Sequence, residues 1–114
     1  MFSRPEPIPG LSAAAAAAAQ AMPFAELFSA RRCRPSVARA RQLAVYLHHV
    51  ALGASVSACA RAFARDRATI RHACATIEDL RDDPLFDAGA ARLESALAAQ
   101  RDMICALLAQ GSAQ

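Results

Sequence analysis

The spacing of apolar side chains along the chain predicts helices. From Val37 onward the apolar positions recur every three or four residues, which is the repeat of one face of an α-helix. The same repeat restarts after Ser55, after Asp66 and after Pro84, and Gly53 separates the first two segments. β-Branched residues, which strands favour, are scarce. The pattern therefore predicts an all-α fold.

Polar residues that can cap helices stand at the start of three of these segments. Ser36, Ser55 and Asp66 each place a side-chain oxygen where it can accept a hydrogen bond from the first turn. The third helix is expected to run from Asp66 to about Asp82. The apolar positions expected to face the core are Val37, Ala40, Ala44, Val45, Leu47, Ala51 and Leu52, then Val56, Cys59, Ala60 and Phe63, and then Ile70, Ala73, Cys74, Ile77 and Leu80.

The last segment predicts a long C-terminal helix from Pro84, which suits a first helical position, to about Ala109. Its spacing of four and three is that of a heptad repeat, formed by Phe86, Ala90, Leu93, Leu97, Gln100, Ile104 and Leu107. In one interpretation the stretch 86–97 covers the core of the domain itself. In the other, the far end of the helix forms a homodimer. The pattern alone leaves both interpretations open.

The N-terminal part of the chain has a different composition. Three prolines in residues 1–10 predict a disordered tail, and seven consecutive alanines predict an Ala-rich helix over residues 11–22. Pro23 then opens a short helix. The alanine run has the character of neither a signal peptide nor a membrane span. We expect a folded domain over residues 23–97, followed by a helix extension and tail over residues 98–114.

Charge divides the chain into two halves. Residues 31–71 hold nine arginines and one acid, Asp66, whereas residues 78–102 hold seven acids and three arginines. A positive excess of this size predicts a polyanionic partner for the first half. All 13 basic residues are arginine, and the absence of lysine excludes a P-loop and Schiff-base chemistry.

Few residues suggest catalysis or metal binding. The four cysteines, at positions 33, 59, 74 and 105, form no CxxC pair and lie too far apart for a dense disulfide framework, so we expect reduced thiols. His72 and Cys74 could join Cys59 at a metal, but a core cysteine beside a surface histidine explains the pattern without one. No acid pair and no nucleophile–histidine arrangement stands out. We therefore expect no enzyme, no metal and no cofactor.

The stretch RAFARDRATIRHA, residues 61–73, predicts a helix-turn-helix. A short helix, a tight turn and a longer helix follow one another, and positive charge lies at the start of the longer helix. With its apolar stripe toward the core, this helix presents outward Arg67, Ala68, Arg71, His72 and Ala75, with Thr69 at the margin. Such a face suits the major groove of DNA, where arginine can bind guanine and a threonine methyl can contact thymine. Asp66 would cap the helix and could accept from a cytosine amine.

Several motifs in register resemble the C-terminal DNA-binding domain of the bacterial replication initiator DnaA. The family pattern has a basic loop, [P/A]RQxAMYL, SLxxIGxxF, a glycine turn, RDHTTV and HAxxKI. The chain has ARQLAVYL at 40–47, SVSACARAF at 55–63, RDRATI at 65–70 and HACATIEDL at 72–80, in the same order. The spacing holds from about Phe24 to Leu97. Charge alone would also fit a solvated arginine-rich helix, and it is these linked motifs that favour DNA binding.

The resemblance implies roles for the residues at matching positions. Residues 66–69 stand where the family contacts bases and phosphates in the major groove, and one arginine of the RRCR run would enter the adjacent minor groove. His49 matches a basic phosphate contact, and Arg41 matches the arginine of the RQ pair. Ser55 and Ser57 begin the helix that approaches the backbone. The residues predicted to contact DNA are Arg31, Arg32, Arg34, Arg39, Arg41, His49, Ser55, Ser57, Arg65, Asp66, Arg67, Ala68, Thr69, Arg71 and His72.

The chain departs from the family pattern at several of these positions. The signature histidine is Arg67 here, and the first threonine of the signature is Ala68. Ala64 replaces the glycine pair of the turn, with one residue fewer, and Pro35 is an insertion that leaves the minor-groove arginine undecided among Arg31, Arg32 and Arg34. Base preference could therefore differ from the short A/T-rich box of the family, and phosphate binding should survive better than specificity.

The resemblance implies sequence-selective binding of double-stranded DNA. DnaA itself has an ATPase module upstream, for which this chain has neither the length nor a lysine. As a stand-alone bacterial protein it would regulate transcription or replication initiation by occupying sites, in the cytoplasm at the nucleoid, without a nucleotide or a membrane. The alternative is a degenerate domain that acts as a protein-interaction or dimerisation module.

Overall fold

The computed structural model describes Gly10 and residues 35–112. Residues 35–112 form four helices joined by short turns, and no strand occurs among them. The helices are α1 (Pro35–Val50), α2 (Val56–Phe63), α3 (Arg67–Leu80) and α4 (Pro84–Ser112). The all-α prediction and the long C-terminal helix are confirmed. The predicted Ala-rich helix over residues 11–22, the short helix opened by Pro23 and the RRCR run lie outside the described residues.

Helix α1 lies at the centre of the core. Its consecutive residues from Leu43 to His48 are all buried, because α3 covers one side of the helix while α2 and α4 pack against others. Leu47 of α1 and Ile70 and Ile77 of α3 are completely inaccessible to solvent. Burying side chains of this size contributes about 2 kcal/mol each, so the α1–α3 contact is a principal source of stability.

Helices α2 and α3 form the predicted helix-turn-helix, and each begins at a side-chain cap. Ser55 Oγ accepts a hydrogen bond from the N–H of Ala58 at 3.0 Å, and Asp66 Oδ1 accepts one from the N–H of Thr69 at 2.7 Å. Both caps satisfy N–H groups that would otherwise lack partners in the first turn. The sequence predictions for Ser55 and Asp66 are therefore confirmed.

The turn between α2 and α3 depends on a left-handed residue, Ala64, with φ 53° and ψ 48°. The N–H of Arg65 donates to the carbonyl of Ala60 at 3.1 Å, and the N–H of Ala64 donates to the carbonyl of Arg61 at 3.4 Å. These two bonds define a Schellman motif, in which glycine normally occupies the left-handed position. The chain thus closes the turn with one alanine, at the cost of crowding around its Cβ.

Helix α4 crosses the core and then continues past it. Ala90 and Leu97 are buried, and Phe86 and Leu93 pack partly buried against the core. Arg101 Nη1 donates to the carbonyl of Ala51 at 3.0 Å. The interpretation that residues 86–97 cover the domain's own core is confirmed. No helix among residues 35–112 combines the length and the apolar content that a membrane span needs.

Arg81, just after α3, joins three parts of the fold. Its guanidinium donates to Asp87 at 2.6 Å, to Glu94 and to the hydroxyl of Tyr46 at 3.0 Å, and it lies 5.9 Å from the centre of the Tyr46 ring. The hydrogen bond to Asp87, followed by those to Glu94 and Tyr46, raises the pKa of Arg81 above its ordinary value. The side chain therefore stays charged and fastens the end of α3 to α1 and α4.

Three details of the sequence prediction were wrong. Ser36 is not a cap, because α1 already begins at Pro35, whose missing N–H and fixed φ suit a first helical position. Helix α3 ends at Leu80 rather than near Asp82, because the N–H of Arg81 turns back onto the carbonyls of Ile77, Glu78 and Asp79. Helix α4 runs to Ser112 rather than Ala109. The heptad positions beyond Leu97, which are Gln100, Ile104 and Leu107, are exposed, so the second interpretation of the heptad, a homodimer formed by the far end of α4, stays a prediction.

Replacing Ala64 with glycine should stabilise the protein. Glycine adopts the left-handed conformation without the Cβ penalty, which outweighs its greater freedom in the unfolded chain, so the free energy of unfolding should rise by about 0.5–1 kcal/mol. Chemical denaturation measures the change. The control is Ala75→Gly, at an exposed position inside α3, which should lower the free energy of unfolding by about 1 kcal/mol. A loss at both positions would contradict the left-handed turn.

Replacing Arg81 with glutamine should destabilise the protein. The change leaves Asp87, Glu94 and the Tyr46 hydroxyl without their shared donor, and we expect the free energy of unfolding to fall by about 2 kcal/mol. The control is Arg92→Gln, because Arg92 is exposed on α4 and has no hydrogen bond among the described residues; it should change stability by less than about 0.5 kcal/mol. Equal effects of the two substitutions in thermal denaturation would refute the network.

Candidate nucleic-acid interface

The exposed face of α3 is positively charged over its first two turns. Arg67, Arg71 and His72 are exposed there, Ala68 lies between them, and Ala75 follows one turn later; neither alanine blocks access to the helix backbone. Thr69, expected at the margin, is also exposed. The opposite face is buried in the core through Ile70, Ala73 and Ile77. The outward face predicted from the sequence is thus the face that the fold exposes.

Asp66 places a fixed negative charge at the N-terminus of this helix. Hydrogen bonds from the hydroxyl and the backbone N–H of Thr69 hold the pKa of the Asp66 carboxyl below its ordinary value. The group is therefore ionised at neutral pH and can only accept hydrogen bonds. A base amine can donate to it, whereas a phosphate at this position would be repelled.

Arg65 has a structural role that the sequence did not indicate. Its Nη1 donates to the carbonyls of Phe63 and Ala64, at 3.3 and 3.1 Å. These carbonyls lie at the end of α2, where the helix leaves acceptors unsatisfied. The guanidinium therefore stabilises the left-handed turn while placing positive charge beside the start of α3.

Helix α1 carries two arginines and a histidine that the sequence prediction assigned to the interface. Arg39, Arg41 and His49 are half-buried, and Nη1 of Arg39 is buried without a hydrogen-bond partner among the described residues. His49 Nδ1 lies 2.6 Å from the carbonyl of Ala54, and since a carbonyl only accepts, this nitrogen holds the proton. His49 Nε2 can then donate to a phosphate only when the ring is cationic.

The start of α2 contributes polar rather than charged groups. Ser55 is exposed and its Oγ accepts the capping hydrogen bond, which leaves the hydroxyl proton available to an outside acceptor. Ser57 is half-buried in the first turn, and Arg61 is exposed in the last turn of the same helix. The sequence prediction omitted Arg61, although it follows Ser57 by four residues and so shares its side of α2.

The site residues are not all described. Arg31, Arg32 and Arg34, proposed for the minor groove, lie outside the described residues. The others occupy α1, the start of α2, the turn and the first two turns of α3. Over residues 35–72 the sequence has six arginines and one acid, so this part of the molecule has a strongly positive field.

The described residues form no metal site. No three His, Cys, Asp or Glu side chains within residues 35–112 come together in a way that could hold a metal ion. His72 is exposed while Cys59 is completely buried, so the two do not share a surface. Burial, with a smaller contribution from Cys74, raises the pKa of the Cys59 thiol to about 11, and burial also raises that of Cys74. These thiols stay protonated near neutral pH.

An open groove of about 410 Å³ lies between α1 and α4, and α3 contributes no residue to its lining. Its wall is apolar apart from Arg92. The groove brings together no acid, histidine or nucleophile, and so offers no obvious reaction chemistry. The lining residues are Leu43, Leu85, Phe86, Gly89, Ala90, Arg92 and Leu93.

The family model for the bacterial dnaA protein helix-turn-helix matches residues 14–77, which is more than half of the chain. The match spans α1, α2 and most of α3, whereas α4 lies beyond it. Searches of curated proteins and of solved structures return no match. The helix-turn-helix geometry, the exposed positive face of α3 and this match agree: the chain belongs to the DNA-binding helix-turn-helix family of bacterial DnaA.

Proposed function

We propose that the protein binds double-stranded DNA in a sequence-selective manner, with the first two turns of α3 in the major groove. The observation that carries the proposal is the exposure of Arg67, Arg71 and His72 on a helix held rigidly from behind by Ile70 and Ile77. A rigid helix can hold side chains in register with base edges, as helix-turn-helix proteins do. Membership of a DNA-binding family supports the same role.

Base contacts come from the start of α3 in this proposal. Arg67 donates to O6 and N7 of a guanine, the Thr69 methyl contacts a thymine, and ionised Asp66 accepts from a cytosine amine. Ala68 supplies only a methyl group, so the helix backbone can approach the groove closely. Because Arg67 and Ala68 replace the histidine and first threonine of the DnaA signature, the preferred site need not be the family's A/T-rich box.

Phosphate contacts surround this centre and fix its register. Arg71 and His72 reach the DNA backbone from α3, and Ser55 and Ser57 reach it from α2. The other phosphate contacts come from α1 and the turn, through Arg39, Arg41, His49 and Arg65. One arginine of the RRCR run enters the minor groove.

Occupying sites is then the protein's mode of action. The chain would regulate transcription or replication initiation by competing for its sites at the bacterial nucleoid, in the cytoplasm. Occupying a site requires neither an enzyme activity nor a nucleotide. Its effect depends on affinity and on discrimination between sites.

Discrimination between duplexes tests the proposal directly. Fluorescence anisotropy compares a DnaA-type box duplex with a scrambled duplex at two salt concentrations, alongside the best duplex selected from random DNA. We expect salt-sensitive binding and at least a tenfold preference for one duplex over the scrambled one, or about 1.4 kcal/mol. Equal binding to all three duplexes would contradict sequence selectivity, and no binding would contradict the function.

Two arginine substitutions separate base contacts from phosphate contacts. Arg67→Ala should reduce binding to the preferred duplex about tenfold or more, with little effect on the scrambled duplex. Arg41→Ala should weaken binding to both duplexes alike, and the slope of log affinity against log salt concentration should fall by about one, because one phosphate contact is lost. The control is Arg92→Ala, an exposed arginine on α4 outside the site. Identical effects of the first two substitutions on both duplexes would show that the assigned roles are wrong.

A second function, self-association, is supported by the far end of α4. Met103, Ile104, Leu107 and Leu108 are all at least 43% exposed. Ile104 and Leu108 continue the face of α4 that covers the core, and the heptad spacing extends through them. We infer that this end of α4 pairs with the same segment of a second copy.

Light scattering at high protein concentration tests this pairing. We expect a dimer for the wild type and a monomer for a double substitution, Leu107→Glu with Leu108→Glu, because charges cannot be buried in an apolar seam. The substitutions lie six and seven residues beyond Arg101, whose Nη1 donates to the carbonyl of Ala51, and both positions are exposed, so folding should be little affected. A wild-type monomer at all concentrations would refute self-association.

A further inference from the structure

Two acids at the end of α3 have no role in the fold. Glu78 and Asp79 are exposed, and neither carboxylate takes part in an ion pair or hydrogen bond among the described residues. Most other described acids do have such a partner: Asp66 caps α3, Asp83 accepts from the N–H of Leu85, Asp87 and Glu94 hold Arg81, and Asp102 pairs with Arg101. Asp82, in the turn after α3, is the third unpaired acid among them.

These two acids share the outward face of α3 with its basic residues. Glu78 follows Arg71 by seven residues and Asp79 follows His72 by seven, which is nearly two full turns of an α-helix. Each acid therefore lies almost in line with a basic residue, about 10 Å further along the axis. The face is positive at its N-terminal end and negative at its C-terminal end.

Helix stability does not account for this arrangement. Negative side chains near the C-terminus of a helix interact unfavourably with the helix dipole, and the last turn of α3 contains no basic residue to offset them. The two acids therefore oppose the stability of the helix they occupy. Their placement on the DNA-facing side points to a role in binding.

We propose that Glu78 and Asp79 determine how α3 enters the major groove, admitting its N-terminal turns and excluding its C-terminal end. The inference rests on the proposed DNA binding. The helix is about 21 Å long while the groove is about 12 Å wide. A helix lying flat across the groove would extend over its phosphates and bring both acids near them, and salt screens repulsion only partly within the Debye length of about 8 Å. A helix entering by its N-terminus keeps them away.

The two acids should destabilise a complex with unrelated DNA more than a complex with the preferred site. Reading bases requires residues 66–72 deep in the groove, a geometry in which the acids stay outside. A complex with unrelated DNA gains only from phosphate contacts and so favours a helix lying flat on the backbone, where the acids are repelled. Repulsion that acts mainly on the wrong complex increases discrimination between sites.

The test uses Glu78→Gln, Asp79→Asn and the double substitution, with anisotropy measured on the best duplex selected from random DNA and on a scrambled duplex. We expect the double substitution to raise affinity for the scrambled duplex at least about fivefold and that for the selected duplex less than about twofold. The difference should shrink as salt is raised. Thermal denaturation should show unchanged or higher stability, since an unfavourable dipole interaction is removed.

Asp102→Asn serves as the control, because it removes one exposed negative charge from α4, far along the chain from α3. A similar gain in affinity for the scrambled duplex with this variant would show that the effect depends only on net charge, and so would an equal gain for both duplexes with the double substitution. Either result would overturn the inference. Unchanged affinities would overturn it as well. In either case, a wild-type protein that still prefers the selected duplex would support the proposed function. A wild-type protein without such a preference would overturn both the proposed function and this inference.

Discussion

Ile70 and Ile77 lie in the same buried core cluster as Leu47 of α1, and their burial fixes the rotation of α3 about its own axis. All three side chains are completely inaccessible, and exposing either isoleucine would forfeit about 2 kcal/mol of burial. A turn of α3 by one residue, about 100°, would also bring Arg71 or Arg67 toward the core, where an unpaired guanidinium is strongly unfavourable. The same contact that stabilises the domain therefore decides which residues face outward, and the candidate interface depends on it.

The turn before α3 determines where α3 begins and the angle that it makes with α2. Ala64 accepts a left-handed conformation, the Schellman hydrogen bonds close α2, and Arg65 binds the carbonyls at its end. Asp66 then starts α3 at once, so only three residues separate the two helices. A three-residue turn closed by these hydrogen bonds restricts the angle between the helices, which suits the proposed function, in which α3 holds Arg67 in register with a base.

Features that depend on neighbouring residues could be predicted from the sequence, and features that depend on distant ones could not. The caps at Ser55 and Asp66 and the outward face of α3 follow from local chemistry and from helical periodicity, and they were predicted correctly. The roles of Arg65 and Arg81 require knowledge of where other elements lie, because Arg81 contacts a hydroxyl 35 positions away. The start of α1 was misjudged because Pro35 and Ser36 both suit a helix start, and local pattern does not rank them.

Arg81 also explains why α3 keeps a negative end. It follows Glu78 by three residues, a spacing at which an arginine on the same helix surface ordinarily pairs with an acid. Here its guanidinium is committed to Asp87, Glu94 and Tyr46, so it neutralises acids of α4 rather than those of α3. Fastening the end of α3 to α1 and α4 thereby leaves Glu78 without its nearest basic partner, while Asp79 has no basic residue three or four positions away. The rigid hold on α3 and the unneutralised charge of Glu78 thus have the same structural cause.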